Sequence, residues 1–214
     1  MTLFETYDAI LALGASEARA ERVAAMRAAF EARTGAFAPE DPWFEARSRA
    51  FWDDAVTSQG FAREVAEAVP AGARVWVPRL ERAHRGLFRV EKGTNDPRSR
   101  VLLDLWSGAS FLVHAIDDAL QDALAAASAP FDGRLVGSFD PLQVALLPGA
   151  VFHPADAAEP ITAVLARARA EGRSGPDVLD ALLRMERGLR ASARVKAAYA
   201  YRADRLGAPP RGGG

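Results

Sequence analysis

Apolar side chains recur at the spacing of an α-helix over the first 72 residues of the chain. In residues 2–13 (TLFETYDAILAL) they fall every three or four positions, so that they share one face of a helix. Similar stripes run around Met26, over residues 43–56 and over residues 61–69. The pattern predicts an N-terminal helical segment over residues 1–72.

The hydrophobic pattern changes at about residue 87, where apolar and polar residues begin to alternate. Runs of strand length follow in the order LFRVE, VLLDLW, ASFLVHAI, GRLVGSF and LQVALL, with a helical stretch between the third and the fourth. Consecutive strands with short connections favour antiparallel pairing. Residues 73–155 are therefore predicted to form a central antiparallel sheet or small open barrel of about five strands.

Helical spacing returns near residue 156. Asp156, with Glu159 three residues later, has the spacing of a capping box, and Ser174 is a second candidate N-cap. These signals predict that residues 156–206 form C-terminal helices packed on the sheet. The predicted fold class is α+β, with helices at both ends of the chain.

The last helix is expected to be long. Between Ser174 and Leu206 only Gly188 interrupts the pattern, and such a helix would measure about 45 Å at 1.5 Å per residue. The final residues, 207–214, read GAPPRGGG and are predicted to be a disordered tail.

Composition excludes several kinds of chemistry. Half of the 214 residues are hydrophobic, which is enough for a sizeable core, and there is no cysteine to form a disulfide, a thiolate metal site or a nucleophile. The first residues do not have the basic and apolar regions of a secretory signal. No window approaches about 18 uninterrupted apolar residues, so we expect a cytoplasmic protein without a membrane segment.

An enzyme built from this sequence would have to use Asp104, His114 or His153. A hairpin turn at Ser107-Gly108 would pair Val101 with His114 and place both on one face with Leu112. His114 would then have mostly aliphatic neighbours, which favours a structural histidine. Asp104 would lie among apolar groups and would need a charged partner. We expect an arginine to supply it, from the set Arg89, Arg100 and Arg134.

No metal or cofactor is expected. His153 and Asp156 are too few to make a zinc site, which generally takes at least three protein ligands. The adjacent carboxylates of Asp53-Asp54 diverge by about 100° on a helix, so we expect them to be solvent-facing caps or salt-bridge partners. The chain also contains no phosphate-binding glycine motif.

Charge is unevenly distributed along the chain. Residues 1–72 hold 7 basic and 12 acidic groups, a net charge of −5, whereas residues 173–214 hold 9 and 4, a net charge of +5. We predict two partner-binding surfaces rich in arginine. The first lies on the last helix and comprises Arg184, Arg187, Arg190, Arg194, Lys196, Tyr199 and Arg202; the second comprises Arg79, Arg82 and Arg85.

The primary hypothesis is a non-enzymatic adaptor or protein-interaction domain that binds a protein partner or a second copy of itself. The alternative is a nucleic-acid-binding protein, in which a small β-barrel and the basic C-terminal helix track a phosphate backbone. The overall pI of about 6.3 is low for that class. An enzyme is the third hypothesis.

If the last helix carries the contact, reversing Arg187, Arg190 and Arg194 to glutamate abolishes partner binding without unfolding the domain. Binding measured beside a thermal melt checks this expectation. Unchanged binding by the triple variant would contradict it.

Overall fold

A computed structural model describes residues 1–91, 99–116, 118–139, 143–192 and 194–207. Apart from Gly207, the predicted tail lies outside the described residues. The α-helices are Leu3–Gly14 (α1), Ala20–Thr34 (α2), Phe44–Thr57 (α3), Phe61–Glu64 (α4), Val77–Leu80 (α5), Asp118–Ala126 (α6), Ala158–Ala170 (α7), Gly175–Arg190 (α8) and Ala197–Ala200 (α9). The strands are His84–Val90 (β1), Arg100–Asp104 (β2), Ser110–Ile116 (β3), Phe131–Gly137 (β4), Val144–Leu146 (β5) and Val151–Phe152 (β6). Within these ranges no helix combines the length and the apolar character needed to cross a membrane.

Five of the strands close into a barrel. Strand β1 pairs antiparallel with both β2 and β4, β2 pairs antiparallel with β3, and β4 pairs antiparallel with β5. A parallel pairing of β3 with β5 completes the ring, and α6 connects β3 to β4. The α+β class is confirmed, and the parallel pair explains why the barrel is closed instead of open.

An irregular stretch between β5 and β6 anchors two N-terminal helices to the barrel. Both strands follow the same edge of β4, but the register shifts between them, since Leu135 lies opposite Leu146 whereas Asp132 lies opposite Val151. In this stretch the N–H of Gly149 donates to Asp53 of α3 at 3.0 Å. Asp53 also accepts from the hydroxyl of Tyr7 in α1 at 2.6 Å.

Two details of the C-terminal prediction are wrong. Asp156 lies in a 3₁₀ turn, and the N-cap of α7 is Ala157, which makes no side-chain cap. The last long helix ends at Arg190, although its predicted cap at Ser174 is confirmed by a bond from the N–H of Asp177. Beyond α8 the chain turns back, which buries four residues that a straight helix would expose: Ala197, Ala200, Tyr201 and Leu206.

The barrel is packed inside and on its outer surface. Its interior holds Phe88, Leu102, Val113, Phe131, Leu135 and Leu146. The N-terminal helices share a second cluster with Val136 and Ala145. A third cluster joins α7 and α8 to Leu87 of β1. Each helical segment therefore stabilises a different part of the barrel wall.

Buried charges link these layers. Asp54 of α3 accepts from Arg134 of β4 at 2.7 Å and from Arg33 of α2 at 2.5 Å. Arg33 also donates to Asp180 of α8 at 3.0 Å. The prediction that Asp54 forms salt bridges is confirmed. The prediction that it faces solvent is wrong, because it is 1 % exposed.

The same chain of charges continues along the barrel. Asp180 accepts from Arg85 of β1 at 2.7 Å, and Arg85 also donates to Asp132 of β4 at 2.8 Å. Burial alone would lower the pKa of Arg85, but the charges of Asp132 and Asp180 outweigh it and raise that pKa. Arg85 is therefore a fixed internal cation.

Replacing Asp54 with alanine leaves Arg134 buried without its carboxylate, and we expect the free energy of unfolding to fall by about 3–5 kcal/mol. Urea unfolding at neutral pH measures it. The matched control is Glu64→Ala, which removes an arginine–carboxylate pair at the surface and is expected to cost no more than about 1 kcal/mol. Similar losses of stability in the two variants would show that the buried pair of Asp54 and Arg134 stabilises the fold no more than a surface pair does.

Candidate functional site

The arginines of the predicted last-helix surface have acceptors inside the chain. Arg184 donates to the carbonyl of Arg33, and Arg187 donates to the carbonyl of Ala36 at 3.0 Å. Carbonyl groups at a helix C-terminus are unsatisfied acceptors that attract cations. These arginines therefore dock α8 on the end of α2.

Arg190 donates to Glu186 and, at 3.3 Å, to the carbonyl of Phe152. The triple reversal described above would thus remove bonds within the chain as well as positive charge. Its stability therefore has to be measured together with its binding.

The other residues of the predicted last-helix surface come after the end of α8, so they do not lie on the same helix face as Arg184, Arg187 and Arg190. Arg194, Lys196, Tyr199 and Arg202 are exposed. Arg202 forms an ion pair with Asp204 at 2.6 Å. Their role as partner-binding residues remains a prediction.

The second predicted surface divides into buried and accessible parts. Arg85 belongs to the internal chain of charges, whereas Arg82 is exposed and Arg79 is half-buried. The guanidinium carbon of Arg79 lies 4.0 Å from the ring centroid of Phe139, which is cation–π geometry. Phe139 also meets Trp76 edge-on at 4.7 Å.

This aromatic group stands beside an open, mainly apolar pocket of about 520 Å³. Helix α1 contributes Leu3 and Phe4 to the wall, and the β4–β5 hairpin contributes Val136 and Ala145. Phe139 is 53 % exposed, whereas Leu3, Trp76, Val136 and Ala145 in the pocket wall are buried. A cavity of this size and lining is typical of a ligand site.

His114 lines the pocket. It lies on the outer face of β3, the face it was predicted to share with Val101 and Leu112, and its Nδ1 lies 3.0 Å from the hydroxyl of Ser99. The predicted pairing of Val101 with His114 is wrong, because Val101 lies opposite Leu112. A shift of two residues leaves every side chain on its predicted face.

Asp104 stabilises the turn between β2 and β3. Its carboxylate accepts from the hydroxyl of Ser107 at 2.6 Å and the N–H of Trp106 at 3.0 Å, and it lies 3.1 Å from Nε2 of His84. Burial raises the pKa of Asp104, but these bonds outweigh burial and lower it overall. The prediction of an arginine partner for Asp104 is wrong. Asp104 lies at the end of β2, where the turn residues and His84 contact its carboxylate.

Ser107 and His84 both contact Asp104, so they are not arranged as a serine nucleophile with its histidine base. His153 is elsewhere: it is buried, and its Nδ1 lies 2.7 Å from the hydroxyl of Tyr201. Asp104, His114 and His153 therefore have separate partners. The described residues contain no group of three side chains suited to hold a metal ion.

The sequence did not indicate the pocket. Its wall combines the start of α1, Trp76, one face of β3 and the β4–β5 hairpin, and no local pattern links these segments. The one available signal was Phe139, an aromatic residue directly after GRLVGS. The apolar pattern assigned it to the end of the predicted strand GRLVGSF, so it did not indicate an exposed ring.

Comparison of the chain with protein-family models, with curated proteins and with solved structures gives no match in any of the three.

Burial lowers the pKa of His153 to about 4. The unfolded chain takes up a proton at this residue near pH 6.5 and the folded chain does not, so stability is lost as the pH falls from 6.5 towards 4. Between pH 7.5 and pH 5, the free energy of unfolding of the wild type should fall by about 2 kcal/mol more than that of the His153→Phe variant.

Urea unfolding of both proteins at the two pH values measures this difference. Groups other than His153 titrate in both proteins and cancel in the comparison. Equal pH dependence in the wild type and the variant would show that the imidazole titrates normally in the fold.

Proposed function

We propose that this chain is a non-enzymatic protein-interaction module that binds its partner at the pocket beside Phe139. The observation that carries the proposal is the exposed ring of Phe139, held between Trp76 and Arg79 at the rim of an apolar cavity. Aromatic residues and arginine are enriched in protein interfaces, and a few anchors in pockets supply most of their energy.

Contacts within the chain hold the side chains of Arg79, Phe139 and Trp76 at the rim of the pocket. Arg79 is packed on Phe139, and Phe139 is packed on Trp76, whose indole N–H donates to the carbonyl of Met1 at 3.1 Å. Side chains that are fixed in advance lose less conformational entropy on binding. This supports the pocket as the place of contact.

The last helix is a weaker choice. Arg184, Arg187 and Arg190 already have carbonyl or carboxylate acceptors within the chain. A partner at these residues would have to replace existing hydrogen bonds, so the net gain in binding energy would be small.

A second candidate function is the binding of single-stranded nucleic acid. The connectivity favours it: a closed five-stranded barrel with the order β1-β2-β3-β5-β4 resembles that of the oligonucleotide/oligosaccharide-binding fold, whose ligands cross strands 2 and 3 and the loop between strands 4 and 5. Phe139 follows β4, and stacking of bases on such rings is common. The net charge of −1 weighs against this function.

An enzyme finds least support. His114 lines the pocket, but the other polar side chains that line the described part of it are Thr2, Ser138 and Gln143. A general base is usually oriented by a carboxylate or a similar group, and no described carboxylate lines this wall.

A photo-reactive phenylalanine analogue distinguishes these functions when it replaces Phe139 or, as the matched control, Tyr199, which is 63 % exposed. Irradiation of the chain in its own cells should yield a protein adduct from position 139 and none from position 199. The adducts are measured by mass after gel separation, with and without nuclease.

Three results would contradict the proposal. A protein adduct from position 199 alone would favour the last helix, and an adduct removed by nuclease would favour nucleic acid. The absence of a protein adduct at position 139, with the substituted chain folded and present at its normal level, would remove the pocket as the contact.

A further inference from the structure

The charge at the rim of the pocket restricts what the pocket accepts. Arg79 has no carboxylate within ion-pair distance among the described residues; its polar contact is the carbonyl of Val75 at 3.4 Å. Glu81, the nearest carboxylate along the chain, is paired with Arg63 at 2.5 Å. Arg79 is therefore a cation that packs on an aromatic ring, and no carboxylate of the described residues neutralises it.

Three arginines of the barrel strands are paired with carboxylates. Arg85 and Arg134 have buried aspartates, and Arg89 lies 3.5 Å from Glu91. Arg79 differs from these three arginines because no carboxylate of the described residues pairs with it. An anionic group from outside the chain would meet it next to the apolar wall.

The geometry points to a partner segment that places a bulky apolar side chain in the pocket and an adjacent carboxylate on Arg79. This inference rests on the proposed function and adds the chemistry of the partner. The apolar side chain would contact Phe4, Val136 and Ala145, and the carboxylate would pair with a guanidinium that needs no reorganisation.

Outside the pocket, the described residues of a second copy offer no exposed large apolar side chain next to a carboxylate in the sequence. Large apolar side chains that are exposed away from the pocket are Val75, Leu112, Val195 and Tyr199. None of the four has aspartate or glutamate as a sequence neighbour, and Val75 and Val195 are next to arginine. The terminal residues 207–214 contain an arginine and no large aliphatic or aromatic residue. We therefore take a segment of a different protein as the occupant.

Selection from a displayed library of random short peptides tests the inference without knowledge of the partner. We expect the wild-type chain to enrich peptides in which an aromatic or long aliphatic residue is adjacent to aspartate or glutamate. Affinities of the enriched peptides are then measured by fluorescence anisotropy with the wild type, R79E and R82E.

Reversal at Arg79 should weaken binding about tenfold or more, because attraction becomes repulsion, and selection on R79E should lose the acidic preference. The matched control R82E makes the same charge change three residues away, without the contact to Phe139, and should weaken binding by no more than about twofold. Thermal melts of both variants check that they are folded.

The outcomes separate this inference from the function on which it rests. Enriched peptides that need Phe139 but contain no acidic residue would overturn the inference and leave the proposed function in place. Peptides insensitive to both Phe139→Ala and R79E, or no enrichment at all, would overturn both. Arg79-dependent binding of a labelled single-stranded oligonucleotide without any peptide enrichment would also overturn both, in favour of nucleic acid.

Discussion

The buried pairing of arginines with aspartates fixes how the helices are seated on the barrel. Apolar surfaces tolerate small displacements, but a buried guanidinium that loses its carboxylate is left with a large desolvation penalty. Arg134 and Asp54 are both at most 2 % exposed, so α3 has one position on β4 that satisfies both. Through Arg33 and Asp180, the same constraint extends to α2 and α8.

The position of α1, and hence one wall of the pocket, depends on a neighbouring contact. Asp53 joins Tyr7 of α1 to Gly149, and burial raises the pKa of Asp53 to about 6. A Cβ at position 149 would lie 2.6 Å from the Asp53 carboxylate, so only glycine allows this approach. Buried contacts thus determine the position of one wall of the pocket.

Local periodicity predicted most of the fold and little of the site. The change from helical to alternating spacing located the barrel strands, and the face of β3 that carries His114 was predicted even though its register was not. The arginines of α8 have the predicted spacing, but spacing does not reveal whether a helix face is free or docked on α2. The pocket joins Leu3, Trp76 and Phe139 from distant segments, and such contacts depend on tertiary packing that no local pattern contains.

The sequence separation of the charged contacts has a consequence for synthesis of the chain. Arg33 and Asp180 are 147 positions apart, and Arg47 and Glu186 are 139 apart. While the ribosome is still translating the barrel, Arg47 lacks its carboxylate, and Arg33 has Asp54 but not yet Asp180. Domains of this size commonly begin to fold during translation, but here the final packing of the first helices has to wait until α8 has emerged.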